Sequence, residues 1–194
     1  SWALNKGNRL DIALHYDFDV HRESEIPVPR GGEESGWTPW AHDYAHVFSG
    51  AVEDTQVFGR WRLVAGFGAG GMSLLARDLL GKSYSVSHRV LPALEGRIVI
   101  ERSLGEKLLV LLAGGHKARF PTLKELFSET VGGNPDLEVE RAWMLEMGID
   151  GIGVPAAGLE TSMRLFCNVI QDLIEKYRDS YANVGRALTA GGDL

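Results

Sequence analysis

A mainly helical, compact fold with a minor β element near the N-terminus is the class this sequence predicts. Three observations carry it. Apolar residues recur at helical spacing over 159–188, through Met163, Phe166, Val169, Ile170, Leu173, Ile174, Tyr177, Tyr181 and Val184. Thr38-Pro39 forms a helix start, a capping residue followed by proline in the first turn, and Gly50 supplies a stop about three turns later. Only residues 10–21 alternate strictly, with Leu10, Ile12, Leu14, Tyr16, Phe18 and Val20 apolar, the pattern of a half-buried strand.

Taken in order, the strand is followed by a loop over 22–38, interrupted by Pro27, Pro29, Gly31, Gly32 and Gly36. The Thr38–Gly50 helix comes next. Another is expected from Asp54 or Thr55 through Val64, weakened by glycines at 66, 68, 70 and 71 before Met72–Leu80 resumes helical spacing. Further helices are expected at about 84–91, 103–113, 122–131 and 137–147, the first stopped by Pro92. Strand character returns briefly at Ile98-Val99-Ile100. The domain reading is a single unit, 1–194, with a strand and loop at 1–37, a central region at 38–150 and a long helix in 151–194.

At 194 residues the chain can bury a substantial core, and 44% hydrophobic with 24% charged residues is globular usage. The net charge of −6 argues against a nucleic-acid binder. Cys167 is the single cysteine, so no disulfide forms within the chain; it reads as a small core residue in a reducing compartment. The longest apolar run, Leu108–Gly115, falls short of the ~20 residues of a membrane helix, and Ser1–Arg9 lacks a signal-peptide core. A cytoplasmic protein is the expectation. Ten basic against four acidic residues over 55–119 leave room for contact with an acidic membrane surface or an anionic ligand head.

The stretch with most chemistry is His42-Asp43-Tyr44-Ala45-His46. On a helix, His42 and His46 lie one turn apart on one face with Asp43 at its flank, a preset donor group for a divalent metal. Asp43 would either bind the ion or orient a histidine. His15, Asp17, Asp19 and His21 share one face of the N-terminal strand, but are too spread out for one ion and read as a solvent face. Gly66-Phe67-Gly68-Ala69-Gly70-Gly71 matches G-x-G-x-x-G without the strand before it or the acidic residue after a second strand. Close helix packing, or space for a ligand tail, explains those glycines better. Gly81-Lys82-Ser83 lacks the earlier glycine of a phosphate loop, and no G-x-S-x-G occurs.

His42-Asp43-x-x-His46 with Gly50 resembles the signature of the ubiquinone (coenzyme Q) biosynthesis protein family, H-D-x-x-H followed by a distant Glu. A second likeness runs from Asp136 to Arg141 and through Leu145-Glu146-Met147-Gly148-Ile149. The family's Glu position is Phe58 here, so Glu53, then Asp54, are the substitute ligands. The resemblance implies a helical fold holding a divalent metal (zinc, iron, cobalt or manganese) beside a tunnel for an isoprenoid- or quinone-like ligand. It implies decarboxylase-, hydroxylase- or lyase-like chemistry with His42, Asp43 and His46 as catalytic residues. The alternatives are a non-catalytic lipid-binding or scaffold protein of quinone biosynthesis, and a nucleotide-dependent oxidoreductase. A homodimer is compatible with each.

Overall fold

A computed structural model describes residues 2–5, 7–24, 40–77, 88–128, 130–154 and 159–194. Strands take 77% of it and helix 3%, so the mainly helical expectation is overturned. Among the described residues eleven strands and one short helix follow in order: β1 Trp2–Asn5, β2 Asn8–Glu23, β3 Ala41–Phe58, β4 Trp61–Arg77, β5 His88–Leu104, β6 Leu108–Arg119, α1 Leu123–Phe127, β7 Glu140–Val154, β8 Leu159–Gln171, β9 Ile174–Tyr177, β10 Ser180–Asn183 and β11 Arg186–Asp193. Nine form one sheet in the order β1-β2-β3-β4-β5-β6-β7-β8-β11, each antiparallel to its neighbours; β9 and β10 make a separate hairpin.

The expected strand at 10–21 is β2. The H-D-x-x-H helix is β3, and the C-terminal helix is β8 to β11. Of the expected helices only 122–131 contains one among the described residues: α1, closed by a capping box between Thr122 and Glu125. Thr38-Pro39 and Gly81-Lys82-Ser83 lie outside the described residues.

Side-chain alternation and register give the sheet two chemically different faces. One row crosses eight strands on one face: Ile12, Val52, Phe67, Gly96, His116, Trp143, Val169 and Leu188. Beside it run Asp11, Glu53, Gly66, Arg97, Gly115, Met144, Asn168 and Thr189 on the other. The apolar face is the uncovered one. Leu14 is 85% exposed and Phe67 and Leu94 are each 59% exposed, whereas a half-buried strand would turn such residues inward. Cys167, expected in a helical core, sits on this apolar face between Leu145 and Ala190.

The strands are joined by short links at one end, such as 59–60 and 105–107, and by long ones at the other, 24–40, 78–87 and 120–139. These are called the turn end and the loop end. At the turn end Gly59 takes φ +61°, which suits the β3–β4 turn to glycine. The buried core lies at the loop end of the polar face. There Ala45, Met72, Leu74 and Leu91 pack under Leu123, Leu126, Leu137, Val139 and Ile174.

Gly70 and Gly66 of β4 make a contrast that checks this packing. A Cβ on Gly70 would meet the Phe48 carbonyl oxygen at 2.7 Å and the Ser49 Cβ at 2.9 Å, whereas on Gly66 nothing comes nearer than 3.4 Å. Gly70→Ala is expected to cost about 1–2 kcal/mol in equilibrium unfolding, through overpacking against backbone. Gly66→Ala is expected to change stability by less than about 0.5 kcal/mol. Equal costs would mean that the β3–β4 register is wrong.

Candidate functional site

The polar face carries the ionisable groups, and the sheet itself spaces them. Glu53 of β3, Gly66 of β4 and Arg97 of β5 stand in one row. With no side chain on Gly66, Arg97 reaches across β4 to Glu53, its Nε donating to Oε2 at 2.7 Å and Nη2 lying 2.5 Å away. Together with Gly68, Glu95 and Lys117 these residues line a shallow depression in the wall. Toward the turn end, Arg62 of β4 donates to both oxygens of Glu101 on β5, at 2.9 and 3.0 Å. Across the sheet, Arg164 of β8 lies over Gly148 and joins Asp150 and Glu146 of β7. Next to β3, β2 displays His15 beside Asp17 at 2.6 Å, and His21 beside Asp43 at 3.3 Å.

The loop end of this face is roofed. Segment 120–139 leaves β6 and reaches across to β2, where Glu23 accepts hydrogen bonds from Ser128 Oγ at 3.0 Å and from the Thr130 N–H at 3.1 Å. Arg89 of β5 donates to the Pro135 carbonyl and to Glu138, both at 2.6 Å. The β9–β10 hairpin joins the roof through Asn134 Nδ2, which donates to the Tyr181 carbonyl at 3.0 Å. Glu140 ties the pieces together, accepting from Arg119 Nε and from the Ile174 N–H. A polar wall open below and roofed above can bound a water-filled path.

A strand separates what a helix would have joined. Asp43 is 7% exposed on the polar face with His21, while His42 and His46 lie on the apolar face. Four strand residues separate the two imidazoles by roughly 13 Å along the chain. His46 Nδ1 meets the Tyr16 hydroxyl at 2.8 Å, and its ring lies 4.9 Å from that of Phe18. Glu53 is held by Arg97 on the polar face; Asp54 accepts from Gln56 Nε2 on the other, and Phe58 is exposed beside the turn. Among the described residues no group of three His, Cys, Asp or Glu side chains is placed to hold a metal ion. The G-x-G-x-x-G glycines lie within β4, which continues as strand through Arg77.

No family model matches the chain, and no curated protein does. Solved structures do. The copper transporter OprC matches with a TM-score of 0.75 at 23% identity, over 96% of this chain and 32% of its own. The FrpB iron transporter from Neisseria meningitidis matches at 0.64 and 12% identity, over 98% and 31%. The ferric-catecholate import receptor Fiu from Escherichia coli K12 matches at 0.60 and 14% identity, over 98% and 33%. The chain shares its fold with part of each of these proteins.

This chain spans about a third of the length of each of those transporters. The finding overturns the resemblance to the ubiquinone biosynthesis family, whose helical fold the chain does not have. With it fall the quinone-directed metal enzyme, the lipid-binding scaffold and the cytoplasmic placement. The enzyme and scaffold readings needed His42, Asp43 and His46 on one helix face, whereas the cytoplasmic placement rested on the lack of an apolar helix long enough to span, which says nothing of strands. The residues that sequence reasoning missed are Arg97, Arg62, Arg164 and Glu140, whose partners lie on other strands.

Proposed function

We propose that this sheet is an arc of the wall of an outer-membrane β-barrel that imports a metal-bearing solute. The observation that carries the reading is the uncovered face, apolar at Ile12, Val52, Phe67, Trp143, Val169 and Leu188 along one row in which only Gly96 and His116 depart from that character. Transmembrane barrels alternate apolar-out with polar-in, and their strands need about 9–11 residues to cross. Here β2 to β8 run from 12 to 18 residues. Aromatic side chains flank the band, Tyr16, Phe18 and Tyr44 toward the loop end and Phe58 and Trp61 beside the turn. Short links on one side and long ones on the other match periplasmic turns and extracellular loops. Among the described residues β1 and β11 each pair on one side only, so closure requires further strands.

In this reading the metal is cargo. Copper and iron are the named cargo of two of the matched transporters, and the polar wall supplies carboxylates, imidazoles and arginines to such a solute. Uptake of radiolabelled copper and iron by cells with and without the gene tests the cargo; equal uptake of both would remove it.

Placement in the membrane is tested along β8. Single cysteines are placed at positions 163–170 of the full-length protein in lipid, with native Cys167 one of them, and each carries a spin label. Met163, Leu165, Cys167 and Val169 are expected to collide with dissolved oxygen, and Arg164, Phe166, Asn168 and Ile170 with a water-soluble nickel chelate. A profile with no period of two would refute the lipid-facing sheet.

A further inference from the structure

Charge on the apolar face is sparse, and the two ends differ. At the turn end Arg102, stacked 4.8 Å from the Trp61 ring centroid, shares the face with Asp54. At the loop end the charged positions within the described strands of this face are basic, and Asp172, just after β8, reaches Arg141. Arg22 of β2 pairs with His42 of β3. Arg141 of β7 and Arg186 of β11 flank Gln171 of β8. Both groups lie just beyond aromatic side chains, Tyr44 two residues from His42 and Trp143 two residues from Arg141. Arg22 and Arg186 are exposed and have no ion-pair partner among the described residues, while Arg141 donates to Asp172 at 3.0 Å.

We infer that these two groups bind the phosphate-bearing head groups of anionic lipids in the loop-side leaflet. The inference rests on the membrane-spanning reading proposed above. A guanidinium at the rim of an apolar face keeps its stem on the hydrocarbon and its head in the interface. There it meets phosphates, which it can grip through two parallel hydrogen bonds. Neighbouring strands are about 4.8 Å apart, so Arg141 and Arg186 bracket a gap about 10 Å wide, floored by the Gln171 amide, that admits a head group. Asp172 engages Arg141 at this rim, which leaves Arg22 and Arg186 to the head groups.

The test uses the full-length protein in detergent, with bound lipid counted by native mass spectrometry. Phosphatidylglycerol is expected to be retained on the order of ten-fold more than phosphatidylcholine, as two interfacial arginines would supply. The Arg22→Gln/Arg186→Gln double variant is expected to retain both lipids equally, and inorganic phosphate is expected not to displace phosphatidylglycerol from wild type. Undiminished retention by the variant, equal retention of the two lipids by wild type, or displacement by inorganic phosphate would each overturn the inference. The cysteine scan of β8 keeps the two readings apart. A lost period of two refutes the barrel wall itself, whereas an intact period with an unaffected variant refutes the lipid site alone.

Discussion

Leu14→Arg is expected to destabilise the protein in a lipid bilayer by about 2–4 kcal/mol, and Ala13→Arg by less than about 1 kcal/mol. The two residues are neighbours on β2 with opposite fates. Leu14 lies on the apolar face opposite Gly50, and its Cδ2 is the atom nearest the Cβ position of that glycine. Gly50 is roughly midway along β3 between Tyr44 and Phe58, which places Leu14 near the middle of the hydrocarbon, where an arginine costs most. Ala13 faces the polar wall opposite Ala51, where a guanidinium meets water and the carboxylates of β2. Reversible urea unfolding of the full-length protein in liposomes measures both. In a water-soluble protein, exposed Leu14 would accept arginine at no cost. A Leu14→Arg loss no larger than the Ala13→Arg loss would therefore remove the apolar face from the membrane.

Some of this was legible in the sequence, and the rest was hidden for identifiable reasons. The β2 alternation is clean because each polar-face position from Asp11 to His21 is charged, imidazole or alanine. Elsewhere the period is masked from both sides. The polar face turns apolar at the loop end, where Ala45, Met72, Leu74 and Leu91 lie under the roof, so β3 and β4 carry apolar residues on both faces there. On the other face, Gly50, Gly71, Gly96 and Gly114 dilute the apolar signal. Phe48 covers Gly71, a cross-strand pairing that sequence spacing does not reveal. In β8 the residues Phe166 and Ile170 of one face and Met163 and Val169 of the other together mimic a helical stripe. The polar site was less legible still. Glu53 reads as a metal ligand in the sequence; its partner Arg97 is 44 positions away and meets it across Gly66 of the strand between them.

Glu140→Ala is the substitution expected to loosen the roof, at a cost of about 2–3 kcal/mol. Glu140 is 9% exposed, and its carboxylate accepts from Arg119 of β6 and from the Ile174 N–H at 2.5 Å. Removing it leaves the Ile174 N–H buried without an acceptor, worth about 1–3 kcal/mol. The lost pairing with Arg119 adds less than a fully buried pair would, because Arg119 is partly exposed and keeps Glu125. Glu140→Gln retains an acceptor for Ile174 and is expected to cost about half as much. The damage is expected to stay local. Hydrogen exchange at Ile174, Tyr181 and Val184 should accelerate, since their N–H groups bond to Glu140, Gly132 and Leu173 within the roof. Val99 and Leu111, in the ladder nearer the turn end, should keep their protection. Acceleration throughout the sheet would mean that the roof and the wall unfold as one unit. No acceleration at Ile174 would mean that Glu140 does not hold the roof. If the expected pattern holds, the roof can yield while the wall stands, and the polar face then opens toward the loop end without any strand leaving the sheet.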